Sequence, residues 1–244
     1  MIQKIKLLIL KQQFEPSFLG LFVNPFYFAR KGLVSNIKVL GSLFLSGKIL
    51  DVGCGSKPYQ KFFVNSTEYI GLEIDTPENR NHKKADYFYD GKSFPFENGS
   101  FDSILTSQVF EHVFNPDEFL KEVNKVLKTQ GVLLLTVPFV WDEHEQPFDY
   151  ARYSSFGLRH ILEKHGFEIM EQRKSVDDIR VIFQLINDYI YKKTVSQNPY
   201  LNLLITLVLM APCNILGEII SKILPKNSDL YLDNIILARK VKNA

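Results

Sequence analysis

Between Lys48 and Tyr59 the chain reads KILDVGCGSKPY. A short apolar run carries an acid, Asp51, near its end and then enters a loop with glycines at 53 and 55. An apolar run too short for a helix and closed by turn residues reads as a strand buried on both faces. Glycines two and four positions after the acid let the backbone turn sharply. They also let a ligand lie against it with no β-carbon in the way. Strands of this kind belong to parallel sheets, whose connections are helical crossovers.

The rest of the chain supplies both. Further strands are predicted within EYIGLEID (68–75), KADYFYDG (84–91), SFDSILTSQ (100–108), GVLLLTVP (131–138), FEIMEQRK (167–174) and YLDNIILARK (231–240). NPDEFLKEVNKVLKTQG (115–131) reads as a helix with Asn115 as cap, Pro116 in the first turn and Gly131 as stop. A second helix is predicted over SSFGLRHILEKHGF (154–167). Alternating strands and helices give an α/β fold with a parallel sheet covered on both faces. Ligands then bind at the carboxyl ends of the strands. Residues 1–46 form a helical extension broken by Pro16, Pro25 and Gly32; 47–177 and 229–244 form the core; 178–228 form an apolar helical insertion before the last strand.

Composition narrows the function. The net charge of +2 offers no concentrated basic face, so nucleic acid is not an expected partner. Cys54 and Cys213 are far apart, belong to no metal-spaced pair and suggest no disulfide framework, so a reducing cytoplasm is the simpler setting. MIQKIKLLILKQQF, interrupted by lysines and lacking a small-residue cleavage site, reads as a short amphipathic helix rather than a secretory signal.

A dinucleotide loop would place a third glycine where Pro58 stands. The acid Glu73 follows Asp51 at the spacing and strand end that a ribose diol requires, with Asp75 as its competitor. Asp90 and Gly91 follow the third strand. On these residues the chain resembles the class I S-adenosylmethionine-dependent methyltransferases. ILDVGCGSKPY is similar to their first motif, YIGLEID to the second, YDGKSFPFENGSFDSI to the third, and SQVFEHVFNPDEFLKEVNKVLKTQGVLLLTVP to the fourth and fifth. The likeness spans residues 48–170 and returns at 231–240. It implies a Rossmann-like, mostly parallel seven-stranded sheet and S-adenosyl-L-methionine as cofactor. That ligand has no phosphate, so two glycines suffice. The resemblance places Asp51 near the ligand's amino-acid end, Gly53, Cys54 and Gly55 beneath it, Glu73 on the ribose, Asp90 and Gly91 at the adenine edge and Gln108 at the methyl group. Asp51 also suits a helix cap, Asp90 a turn, and Cys54 a small loop filler. Glu111–His112 is given the role of organising the loop after the fourth strand.

The loop after the fifth strand, PFVWDEHEQPFDYARYSS, carries Trp141, His144, Asp149, Arg152 and Tyr153. By resemblance it holds the acceptor. His144 is the one residue there whose ordinary pKa suits a general base near neutrality, conditional on a hydroxyl or amine acceptor. DEHE contains metal-ligating types, but its spacing specifies no site, and no metal is assigned. Residues 194–217 carry no charge. They approach the length of a membrane span, yet one crossing would strand the last strand beyond the membrane. Two apolar helices broken near Pro212 are expected instead. They would lie at a membrane surface through 194–224, pack internally, or form a homodimer interface. Lys192, Lys193, Lys222 and Lys226 flank them and suit anionic headgroups. The expected acceptor is a small or lipid-linked molecule, handled in the cytoplasm at the inner face of the membrane.

Overall fold

The computed structural model describes Leu7, residues 10–82 and residues 84–244. The amphipathic helix expected over the first fourteen residues lies largely outside these. The chain divides into two compact units. One is Asn36–Arg173 with Asn234–Ala244; the other is the chain up to Ser35 with Lys174–Asp233.

The larger unit is built on seven strands, β1 (Gly47–Val52), β2 (Ser66–Ile74), β3 (Tyr87–Tyr89), β4 (Phe101–Ser107), β5 (Leu127–Pro138), β6 (Phe167–Ser175) and β7 (Asp233–Lys240). They form one mixed sheet in the order β3-β2-β1-β4-β5-β7-β6, the Rossmann-like methyltransferase arrangement expected from sequence. β1 pairs in parallel with β2 on one side and β4 on the other, with Asp51 opposite Gly71 and Leu105. The chain therefore leaves β1 toward one edge and returns to its other side, which opens a crevice at the carboxyl ends of β1 and β4. Leu50, Val52, Leu72, Ile104, Leu133 and Leu135 are buried in the core.

The helix α4 (Pro116–Val126) presses Phe119, Leu120, Val123 and Val126 into that core. Two expectations about its ends are corrected. Asn115 occupies the cap position, but its amide donates to Glu118 at 3.3 Å and its side chain accepts no backbone N–H. The helix ends at Val126, five residues before Gly131. The buried Lys240 ammonium donates to the carbonyls of Asn124 at 2.6 Å and Leu127 at 2.9 Å, so terminal carbonyls of α4 have a partner without a glycine turn. Residues 127–138 then run as strand, with an irregularity in register between Phe101 and Ser103. α5 (Ser155–Lys164) starts as read, with the Ser154 hydroxyl accepting from Gly157 N–H. α3 (Pro77–His82) joins β2 to β3.

The smaller unit is helical. It holds α1 (Gly20–Val23), the first part of α2 (Tyr27–Phe44), α6 (Arg180–Thr194), α7 (Pro199–Ile205) and α8 (Ala211–Ile220). Gly32 does not break α2. It is a point of close approach, where a β-carbon would lie 2.8 Å from Val176 Cγ2. Pro212 does not break the apolar segment either. A π-turn over Thr206–Met210 joins α7 to α8, so Pro199–Ile220 is one continuous helix. The wider turn puts a proline in the first turn of α8, where its missing N–H costs little. Buried amides fasten this helix. Asn214 Nδ2 donates to the carbonyls of Leu21 and Asn24, and Asn187 donates to Asn214; on α6, Gln184 bonds Pro25, Phe28 and Ala29.

Candidate active site

The loop after β1 is shaped by sterics first. Gly53 has φ +73°, and a β-carbon there would stand 2.2 Å from Val109 Cγ2. Cys54 is buried in the loop, and burial pushes its thiol up to about 12, which makes it a poor nucleophile. Lys57 is committed to an ion pair with Asp86, whose carboxylate also accepts from Gly71 N–H at 2.7 Å. The loop's cation is thus engaged below rather than offered to a phosphate.

Two carboxylates meet this loop. Glu73 is buried and accepts from Gly55 N–H at 2.7 Å. Its competitor Asp75 is exposed and held by Arg80 at 2.5 and 2.7 Å. Asp51 is 2% exposed, and the Tyr69 hydroxyl donates to it at 2.5 Å. Burial raises the Asp51 pKa to about 7, with Glu73 adding to the rise and Tyr69 and Lys57 opposing it. Two buried acids at one loop suit a cationic ligand. Carboxylates that accept from N–H and O–H groups fit a ligand bearing an ammonium, a sulfonium and a diol. After β3, Asp90 is exposed, and its Oδ1 accepts from Lys92 and Ser93 N–H beside Gly91, whose φ is +82°. Those backbone bonds hold its carboxyl below the usual range.

A protein-family model described as a methyltransferase domain matches residues 26–172, more than half of the chain. The chain belongs to the class I S-adenosylmethionine-dependent methyltransferases. An uncharacterized methyltransferase of Mycobacterium leprae is 29% identical over 162 residues, 58% of this chain and 60% of that protein. A ubiquinone biosynthesis O-methyltransferase of Pelagibacter ubique is 28% identical over 100 residues, 36% and 40% of the two chains. The chain spans between 38% and 60% of the length of the first curated relatives it matches. Among solved structures, Haemonchus contortus phosphoethanolamine N-methyltransferase 2 in complex with S-adenosyl-L-methionine shares the fold. Its TM-score is 0.54 at 20% identity, covering 92% of this chain and 56% of that one. S-adenosyl-L-methionine is the cofactor of this family.

In this chain, Gln108 follows β4 in a left-handed conformation, φ +58°. Its N–H donates to the Thr136 carbonyl at 3.0 Å, which pins the end of β4 to β5. Next comes the 3₁₀ turn Phe110–His112. The loop after β5 folds onto this turn. Tyr150 and Ala151 N–H both donate to the Glu111 carbonyl, at 2.9 and 3.2 Å. Within the loop, Arg152 grips both oxygens of Asp149, at 2.5 and 2.7 Å, and the Asp142 carbonyl at 2.8 Å. Asp149 accepts from His144 N–H at 2.9 Å and lies 3.3 Å from His144 Nδ1. The Arg152 guanidinium holds the Asp149 carboxyl down at about 2. The structure thus brings His144, Asp149 and Arg152 together as one hydrogen-bonded group. Trp141 is half-buried, and the Tyr153 ring stacks on buried Phe110 at 4.9 Å.

Several partners were not evident in the sequence. Tyr69 shares a strand face with Gly71 and Glu73, and that parity is the signal for it; only folding shows that it reaches Asp51. Glu111 is fully buried beside His112 and His144, and the distance of His144 along the chain from the Glu111–His112 pair hides their meeting.

Proposed function

We propose that this chain transfers the methyl group of S-adenosyl-L-methionine to a small or lipid-linked acceptor, with a glycan intermediate of bacterial cell-surface polysaccharide assembly as the preferred class. The observation that carries methyl transfer is the presence of buried Asp51 and Glu73 at the Gly53–Gly55 loop, two acceptors suited to a cationic ligand with a diol. In this reading Asp51 takes the ammonium, and Gly53, Cys54 and Gly55 give backbone beneath the ligand. Glu73 takes the ribose hydroxyls, Asp90 and Gly91 meet the adenine edge, and Gln108 borders the methyl group. The bound cofactor supplies a methyl on a sulfonium, a leaving group good enough that positioning provides most of the acceleration. With the cofactor bound, its methyl carbon would be open to an acceptor lone pair and the C–S pair would stay on sulfur. For a hydroxyl acceptor, the His144 imidazole takes the proton. Asp149 and Arg152 hold His144 in place, and Trp141 and Tyr153 wall the acceptor.

The lipid-linked reading is supported by the apolar helix Pro199–Ile220. Its most apolar 18-residue stretch has a mean hydropathy of 2.1, and only 28% of that stretch is buried. Thr206, Met210, Ala211, Asn214 and Gly217 face the protein, while Leu204, Leu207, Val208, Leu216 and Ile219 face out. A helix with one stripe packed on protein and an apolar stripe exposed suits a membrane interface better than a span. Of the flanking lysines, Lys193 and Lys222 suit anionic lipid at about 1 kcal/mol each, whereas Lys226 is paired with Asp177 at 2.9 Å. A quinone or lipid-ring acceptor is the second reading, favoured by the likeness to the Pelagibacter ubique enzyme.

The test is transfer of labelled methyl from S-adenosyl-L-methionine into a host extract split into lipid and soluble fractions. Label in glycolipid supports the preferred acceptor, and label in quinone precursors favours the second reading. Label confined to soluble metabolites removes the membrane from the function. No transfer with a cofactor-binding protein overturns the enzymatic reading.

A further inference from the structure

The 3₁₀ turn after β4 and the loop after β5 bring three metal-ligating side chains to one point. Glu111 is fully buried, and its Oε1 lies 3.8 Å from His112 Nε2 and 4.0 Å from His144 Nε2. One ligand atom from each residue can be chosen so that all three lie within 4.8 Å of one another. The two rings meet edge to face at 4.9 Å between centroids.

Both rings are oriented from behind. His112 Nδ1 lies 2.9 Å from the Phe148 carbonyl, which can only accept, so Nδ1 carries the proton. His144 Nδ1 lies 3.2 Å from the Asp142 carbonyl and 3.3 Å from the Asp149 carboxylate, again acceptors only. The Arg152 guanidinium, 3.5 Å from this nitrogen, makes its closer bonds to Asp149 and to the Asp142 carbonyl. In each ring the lone pair is therefore on Nε2, the atom that faces Glu111. Imidazoles fixed by a second-shell carbonyl or carboxylate, lone pairs converging with a carboxylate, are the arrangement of a histidine-carboxylate metal centre.

We propose that Glu111, His112 and His144 bind a divalent first-row transition ion. Two imidazole nitrogens and one carboxylate oxygen suit zinc, manganese, iron or cobalt better than calcium or magnesium. Around a tetrahedral ion with bonds of about 2.0–2.1 Å, neighbouring ligand atoms stand about 3.4 Å apart. The two carboxylate-to-nitrogen edges need to close by only about half an ångström. The site is walled behind by Glu111 and open in front, where the histidine side chains are 17% and 28% exposed. Exposed Glu145, 3.9 Å from His112 Nε2, stands at that open side. Three protein ligands and an open position are what a site needs to hold an acceptor oxygen. The ion site stands without the methyl-transfer reading, but its purpose rests on it. With an ion bound, His144 is a ligand, and a coordinated acceptor hydroxyl gives its proton to solvent. Without one, His144 is the base proposed above.

The experiment titrates Co²⁺ and Zn²⁺ into chelator-dialysed, untagged full-length protein, following heat and the visible spectrum of Co²⁺. The expected result is one equivalent bound, with affinity lowered about tenfold or more in each of His112→Ala and His144→Ala. Glu111→Gln joins the series if it folds by circular dichroism; the two partly exposed histidines carry the test if it does not. Absence of binding at 100-fold molar excess overturns the proposal. So does binding that both histidine variants leave unchanged. Cofactor affinity, measured in parallel, fails only if the methyltransferase reading fails.

Discussion

Asp51 offers the sharpest check on the physics of the cofactor site. Its carboxyl is raised from 3.8 to about 7, chiefly by burial. At 1.36 kcal/mol per pH unit, a rise of about 3 corresponds to about 4 kcal/mol of folding free energy withheld by the ionised form. The sign follows from proton counting. Between pH 4 and 7 the unfolded chain has lost this proton and the folded chain keeps it, so stability falls as pH rises through that window and levels off above it. Asp51→Asn removes the titration while keeping an oxygen for the Tyr69 hydroxyl. The variant is expected to match wild type near pH 4 and to exceed it at pH 8 by up to about 4 kcal/mol, or roughly 10 °C in melting temperature. The variant also loses the anion that meets the ligand's ammonium. A cation beside Asp51 lowers its pKa, so wild-type affinity for S-adenosyl-L-methionine should climb with pH up to about 7. The variant should bind more weakly, with that slope gone. Denaturant titrations at pH 5 and 8, with calorimetric binding at the same two values, measure both. A stability difference that does not grow with pH, or a variant less stable than wild type at pH 8, refutes the reasoning.

Gly53→Ala combines a left-handed backbone with a β-carbon 2.2 Å from Val109 Cγ2; it should cost about 2 kcal/mol or more in urea titrations and weaken cofactor binding. Arg152→Ala strips the guanidinium from Asp149, whose side chain is 4% exposed, and should lower stability by about 3 kcal/mol. Arg152→Lys should recover only part of that, because an ammonium cannot grip both oxygens. The stability that Asp149 adds through this pair is present above pH 4 and should fade as pH drops toward 2, visible as a smaller gap between wild type and Arg152→Ala in acid. Leu204→Asp with Val208→Asp, both on the exposed stripe, should cut sedimentation with phosphatidylglycerol vesicles at least about tenfold while leaving the melting temperature nearly unchanged. Unchanged sedimentation would assign the stripe elsewhere.

What the sequence determined is what short-range physics writes into it. A buried strand needs a mostly apolar run, so β1, β4 and β5 were legible at Ile49–Val52, Ile104–Leu105 and Leu133–Val137. A sharp turn with positive φ favours glycine, so the loop at Gly53 and Gly55 was legible too. So were Glu73 at the end of β2 and the start of α5 beside Ser154. Other outcomes depended on partners distant in the chain. Gly131 looked like a helix stop, but Lys240, more than a hundred residues on, took the helix's terminal carbonyls first. Pro212 looked like a break, but a π-turn absorbed it. The charge state of Asp51 was set by its burial and by Tyr69, neither of which its neighbours in sequence reveal. The meeting of Glu111, His112 and His144 depends on backbone bonds between two loops whose lengths and polar residues specify no geometry alone. Periodicity and turn chemistry act over a few residues, whereas the site's protons, and the ion we propose it holds, are fixed by groups that only the folded chain brings within a few ångströms.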